Sequence, residues 1–288
     1  MQITIAKSSG FCFGVRRAIN IGKRITRSRK NVYILGDIVH NNFVVRQLSA
    51  CGLKRIRRLA PQRTKDAVLI ISAHGAPKKT FLRARALGYK IVNATCPKVR
   101  EIYKIGRDLE KTNRIIIIGD RNHEEVRGIA GQLKQKPLTI QSPADIPKRI
   151  PNPGLKTAVL TQSTQSRENI QKIMSRLRRA MPAAKLYNTV CRTTRIKQKE
   201  IKTLPRQNDI VIIVGSASSA NTRRLYEISR EINKKTYRIE TAEELKRKWL
   251  KGTNKVGIMA GASTPDVIVK EVIERINRYP AAKLRGML

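Results

Sequence analysis

Three of the four cysteines recur at a common spacing. Cys12, Cys96 and Cys191 lie 84 and 95 residues apart, and 97 residues follow the last, so they divide the 288-residue chain into three similar stretches. Gly10 and Gly14 bracket Cys12, and Pro97 follows Cys96. Thiolates are soft ligands, and three without a fourth describe a metal site with one open coordination position, if three modules face inward. Ligand type leaves both zinc and an iron-sulfur cubane open. Zinc would usually add a histidine, whereas a cubane held by three cysteines leaves one iron to meet a substrate. The commonest fate of a free cysteine is that of a small buried hydrophobe. That reading is assigned to Cys51 in "LSACGLK", which has no counterpart in the pattern.

Polar residues repeat in step with the three cysteines. His40, His123 and Ser219 follow them by 28, 27 and 28 residues, and a second set of loops, "SAHG" at His74, "TQST" at Ser163 and "GAST" at Ser263, ends a later strand in each stretch. All three histidines of the chain, His40, His74 and His123, fall in such loops. With Thr164, Asn221 and Thr264 they offer donors where helices open, and free backbone N–H groups and the helix dipole favour anions such as phosphate there. Simple N-capping explains any one of these residues about as well. In "NHEEVRG", Glu125 is a natural proton donor in so basic a chain, with Glu124 competing for the role. The pair also fits the acidic first turn of a helix.

The elements that must position these loops alternate between two periods. Short β-branched runs, "QITIA", "NVYIL", "AVLII", "RIIIIG", "TAVLT", "DIVIIVG" and "KVGIMA", read as parallel strands, most of them buried on both faces. Apolar residues at helical spacing follow in "VRRAINIGKRI", "KVREIYKIGRDLE", "SRENIQKIMSRLRRA", "NTRRLYEISREI" and "PDVIVKEVIERI". The fold class is α/β. Three modules are expected, at 1–95, 96–190 and 191–288, each opening near its cysteine. Ser263 or Thr264 ahead of Pro265, and Thr95 ahead of Pro97, are expected caps. Prolines and a glycine should break any element between 141 and 156, as an excursion within a module. The tail "AAKLRGML" is expected to be poorly ordered. In open parallel sheets, ligands bind beyond the carboxyl ends of the strands, where nearly all the unusual residues lie.

Lys and Arg outnumber Asp and Glu by 61 to 20, a net charge of +41. That excess would suit nucleic acid, but it is spread along the chain rather than gathered in a tail, and aromatics make up only 4%. Nucleic-acid binding is therefore kept as a second reading, and a three-cysteine zinc hydrolase as a third. No long uncharged apolar run occurs and "MQITIAKSSG" reads as strand and turn, so the expectation is a cytosolic protein without a membrane span, its thiols reduced.

The segments "GFCFGVRRAI", "VHNNFVV", "SAHG", "ATCPKV", "HEEVRG", "TQST", "GSASSAN" and "AGASTPD", in this order and spacing, resemble the LytB family, the 4-hydroxy-3-methylbut-2-enyl diphosphate reductases of isoprenoid biosynthesis. The resemblance covers essentially the whole chain. It implies a 4Fe-4S cluster on Cys12, Cys96 and Cys191 at the centre of a trefoil-like arrangement of three α/β modules. It also implies reductive loss of an allylic hydroxyl, giving isopentenyl and dimethylallyl diphosphates. His40, His74, Ser219, Asn221 and Ser263 would hold the diphosphate, with His123 and Thr164 nearby. Glu125 would deliver the proton, Ser163 would position the hydroxyl, and an acidic ferredoxin- or flavodoxin-type donor would supply electrons. Three departures stand out: Ser163 where threonine is usual, Ala220 in place of a serine, and Lys197 in place of an arginine, which weakens any bidentate role there.

Overall fold

The computed structural model describes residues 1–62, 66–150, 152 and 154–279. Its twelve strands form three four-stranded sheets in which every pairing is parallel. One sheet, in the order β3-β2-β4-β5, consists of β2 (Val32–Leu35), β3 (Leu53–Ile56), β4 (Val68–Ile71) and β5 (Lys90–Asn93). Its helices are α1 (Phe13–Ser28), α2 (Asn42–Ala50) and α3 (Lys78–Ala86). A second, in the order β7-β6-β8-β9, consists of β6 (Arg114–Ile118), β7 (Leu138–Ile140), β8 (Thr157–Thr161) and β9 (Ala184–Tyr187), with α4 (Pro97–Leu109), α5 (Glu124–Ala130) and α6 (Arg167–Ala180). The third contains β10 (Ile210–Val214), β11 (Thr236–Ile239) and β12 (Lys255–Ala260), with α7 (Arg192–Glu200), α8 (Leu204–Gln207), α9 (Ala220–Ile232), α10 (Arg247–Leu250) and α11 (Asp266–Asn277).

The fourth strand of that third sheet is β1 (Gln2–Ile5), in the order β1-β12-β10-β11. The sequence groups this strand with the first module. Instead it pairs with β12 in the register Gln2↔Lys255 to Ile5↔Ile258, covering an edge that would otherwise present unpaired N–H and C=O groups. Two compact units result. One comprises Met1–Cys12, His40–Asn42 and the chain from Arg192 onward, and holds the third sheet. The other comprises Phe13–Val39 and Phe43–Cys191, and holds the first two.

Period-two side chains explain the second sheet. Ile116, Ile118 and Val159 face Ile170, Ile173, Met174 and Leu177 of α6, while Ile115, Ile117, Ala158 and Leu160 face Val99, Ile102 and Tyr103 of α4 and Val126 and Ile129 of α5. A strand covered on both sides by helices must be apolar at every position, which is why "RIIII" carries no alternation.

Several local expectations change. Pro265, not Ser263 or Thr264, is the N-cap of α11. Thr264 Oγ1 donates to Val214 O at 2.8 Å and Ser263 Oγ to His40 O at 3.0 Å, so both hydroxyls serve neighbouring loops. Cys96 rather than Thr95 caps α4, with Pro97 in its first turn. The segment expected to lack structure contains a 3-10 turn at Pro143–Asp145, closed by reciprocal bonds between Ser142 and Asp145; a second such turn spans Ala242–Glu244. "AAKLRGML" lies outside the described residues. No described helix is long and apolar enough to cross a membrane.

Burial predicts the energetics of the strands. Ile117 is fully buried, so Ile117→Ala should lose about 2 to 5 kcal/mol of stability by chemical denaturation. Ile5, 46% exposed on the edge strand, should lose about 0.5 kcal/mol on the same change.

Candidate functional site

Each sheet repeats one arrangement at the carboxyl ends of its strands. The residue five positions past the end of β2, β6 and β10 is His40, His123 and Ser219, and the residue three past the end of β4, β8 and β12 is His74, Thr164 and Ser263. Each cysteine follows an outer strand: Cys12 after β1, Cys96 after β5, Cys191 after β9. Its amide donates to a carbonyl just past the neighbouring inner strand. Cys12 N bonds Ala262 O at 3.1 Å, Cys96 N bonds Ala73 O at 3.0 Å, and Cys191 N bonds Ser163 O at 3.0 Å. Each cysteine therefore stands just beyond an outer strand of its sheet.

The three thiols are half-buried and free of disulfides. In "GFCFGV" the glycines make room. Gly10 has φ of +85°, in the left-handed region, and a Cβ there would lie 2.6 Å from Asp266 Oδ1. A Cβ on Gly14 would lie 2.4 Å from Cys96 Sγ, so the first turn of α1 admits that sulfur only because it lacks a side chain. Three accessible thiols, each on a fixed backbone, suit a soft metal or an iron-sulfur cluster. Cys51 is exposed rather than the buried hydrophobe expected; it stands just past the end of α2, ahead of Gly52 at φ +95°.

In the larger unit the polar residues form one connected set. Glu125, 2% exposed, accepts from Ser163 N at 2.6 Å and from Ser163 Oγ at 2.8 Å. Its own N–H donates to Nδ1 of His123, the N-cap of α5, at 3.1 Å. That bond leaves Nε2 of a neutral His123 to carry the proton. The rings of His123 and His74 meet edge to face with centroids 5.3 Å apart. His74 Nδ1 lies 3.3 Å from Glu124 Oε2, so the two neighbouring glutamates take separate partners. Gln162, whose role the sequence did not reveal, ties the loops together: Oε1 accepts from Asp120 N at 2.8 Å and Nε2 donates to Thr164 Oγ1 at 3.0 Å.

In the other unit Ser219 caps α9, its hydroxyl accepting from Thr222 N at 3.3 Å. Asn221 is 5% exposed, and its buried Nδ2 has no hydrogen-bond partner among the described residues. An unused buried donor costs about 1 to 3 kcal/mol unless a ligand meets it. Ala220 is buried in the first turn of the same helix. Burial pushes the Lys197 ammonium down to about 8, opposed by negative charge at Cys12 and Glu200.

Burial also dominates Glu125, raising its pKa from an ordinary 4.5, while the Ser163 hydrogen bonds and His74 act against the rise. A raised carboxyl binds its proton more tightly in the folded chain than in the unfolded one. The stability it contributes is complete below about 4.5 and is lost as pH climbs through the folded value. Denaturant titrations from pH 4 upward should therefore show wild-type stability falling relative to Glu125→Gln, which carries no such proton. A constant difference across that range would contradict the burial effect.

Comparison with known proteins gives three findings. The family model for LytB protein matches residues 3–277. The 4-hydroxy-3-methylbut-2-enyl diphosphate reductase of Aquifex aeolicus is 35% identical, covering 99% of each chain, and that of Geobacter metallireducens is 34% identical, covering 98% of this chain and 99% of its own. Among solved structures, one of (E)-4-hydroxy-3-methyl-but-2-enyl diphosphate reductase, described as the terminal enzyme of the non-mevalonate pathway, superposes with a TM-score of 0.68 at 35% identity, over 96% of this chain and 100% of that one. The Plasmodium falciparum reductase superposes with a TM-score of 0.89 at 27% identity, over 95% of this chain and 87% of its own.

Proposed function

Because this chain belongs to the LytB protein family, we propose that it reductively removes the allylic hydroxyl of 4-hydroxy-3-methylbut-2-enyl diphosphate, as the terminal enzyme of the non-mevalonate pathway. The C–O bond breaks with the uptake of two electrons and two protons. The oxygen leaves as water, and the allyl group takes a proton at either of two carbons, giving isopentenyl or dimethylallyl diphosphate. Cys12, Cys96 and Cys191 would hold a 4Fe-4S cluster, which when bound supplies the electrons and a Lewis-acidic iron.

The remaining chemistry falls to the chain itself. The buried Glu125 carboxyl, hydrogen-bonded to the Ser163 hydroxyl, carries the argument. Burial favours its protonated form, as suits a proton donor, and Ser163 orients the substrate hydroxyl beside it. His40, His74, Ser219, Asn221 and Ser263 hold the diphosphate, with His123 and Thr164 alongside, and the unused Asn221 Nδ2 supports that assignment. The helix starts behind His123 and Ser219 add favourable dipoles for an anion. Three modules, at 1–95, 96–190 and 191–288 with β1 lent to the last, organise these residues. A net charge of +41 would attract both a diphosphate and an acidic ferredoxin- or flavodoxin-type donor.

Iron and sulfide analysis of anaerobically purified protein tests the cluster. Cys51→Ser should retain iron, and Cys12→Ser, Cys96→Ser and Cys191→Ser should lose iron or turnover. Zinc in place of iron would point to a hydrolase, and iron lost from Cys51→Ser but kept in Cys96→Ser would reverse the ligand assignment.

Turnover tests the proton donor. Glu125→Gln should bind substrate nearly normally while kcat falls by roughly 10²- to 10⁴-fold, the range for loss of a general acid. Glu124→Gln serves as the control for the neighbouring carboxylate.

A further inference from the structure

Lys197 is the largest fully buried side chain of the described residues, at 1% exposure. A lone ammonium in such a place is costly unless hydrogen-bonded. Its Nζ donates to two backbone carbonyls, Ser8 O and, at 3.2 Å, Ala260 O. Ser8 lies in the loop that leads from β1 to Cys12, and Ala260 ends β12. Two carbonyl oxygens converging on one point repel each other unless a cation stands between them, and this ammonium does.

One turn further along α7, Glu200 grips the same loop by its donors. Its carboxylate accepts from Lys7 N, from Ser8 N at 2.9 Å and from Ser8 Oγ at 2.5 Å. The cation takes the carbonyl of Ser8 and the anion takes the adjoining amides, so both polarities of one short backbone stretch are satisfied from one helix. The rest of the loop is tied to β12 and its sequel: Ser9 Oγ accepts from Ala260 N at 3.0 Å, and Cys12 N reaches Ala262 O.

We propose that Lys197 and Glu200 form a clamp on α7 that positions the Cys12-bearing loop, Lys7–Cys12, against the end of β12, making both positioning residues for the Cys12 ligand. The clamp rests on the reading of Cys12 as a cluster ligand, but its geometry belongs to the metal-free chain and can be tested there. Lysine suits the place because a compact ammonium can serve two separate carbonyls, a task that needs no planar, bidentate fork.

Amide hydrogen exchange of metal-free protein, read by mass spectrometry on peptides spanning 7–12, provides the test. Lys197→Met and Glu200→Gln should each speed exchange there by about 10- to 100-fold, the factor carried by losing a charge-assisted hydrogen bond, while β6 stays protected. Lys197→Arg should restore much of the protection. Iron release to a chelator from the loaded protein should quicken in the same two variants and stay normal in Cys51→Ser. If Lys197→Met fails to fold, Glu200→Gln, on a half-buried residue, carries the test. Unchanged exchange at 7–12 in a folded variant, or acceleration spread evenly over the chain, overturns the clamp. A wild-type protein that holds no iron overturns the cluster reading instead, on a separate measurement.

Discussion

The arrangement depends on one backbone hydrogen bond made three times. A cysteine amide, just past an outer strand, donates to a carbonyl just past the inner strand beside it, and parallel pairing sets the distance between the two. Because the bond uses only main-chain atoms, the residues on either side are free to differ: Ala73, Ser163 and Ala262 supply the carbonyls, and His74, Thr164 and Ser263 follow them. The sheets repeat the scaffold while the side chains diverge. In this way one unit presents two histidines and a carboxyl, and the other presents one histidine with hydroxyls and an amide.

The inner strands were legible and most outer ones were not. β2, β4, β6, β8, β10 and β12 are inner, mostly apolar runs, all six readable in the sequence, and in β6 and β8 helices cover both faces. β3, β5, β7, β9 and β11 are outer strands with partly exposed, polar positions, such as Lys54 and Arg55 in β3, and nothing in "LKRI" distinguishes it from a loop. β1 was the one outer strand recognised, because "QITI" alternates cleanly. Its partner was not legible, since pairing across some 250 residues leaves no local trace.

Of the site, residue identity was readable from spacing, but roles within the hydrogen-bond network were not. Sequence favours Glu125 with Glu124 competing, and only the turn of α5 shows that one goes to His74 and the other to Ser163. Gln162 gave no signal beyond being polar. Lys197 shows in the sequence only as a lysine where an arginine is usual, on a helix with lysine or arginine at three other positions, and its burial was not legible. The cap expectations failed for a related reason: Ser263, Thr264 and Thr95 have the right chemistry for helix starts, but neighbouring loops compete for the first two hydroxyls and the backbone angles admit other residues as caps.

The pairing of β1 with β12 has a consequence for how the chain is made. Once made, β1 finds its partner only after roughly 250 further residues, on the order of tens of seconds at ordinary elongation rates. The sheet of β2 to β5 and the sheet of β6 to β9 each complete themselves from contiguous sequence, and they can form while synthesis continues. Cys12 and its loop must wait until β12 emerges. Two thiols are thus framed early and the third last, so any metallocentre built on all three would be loaded only once β12 has been made.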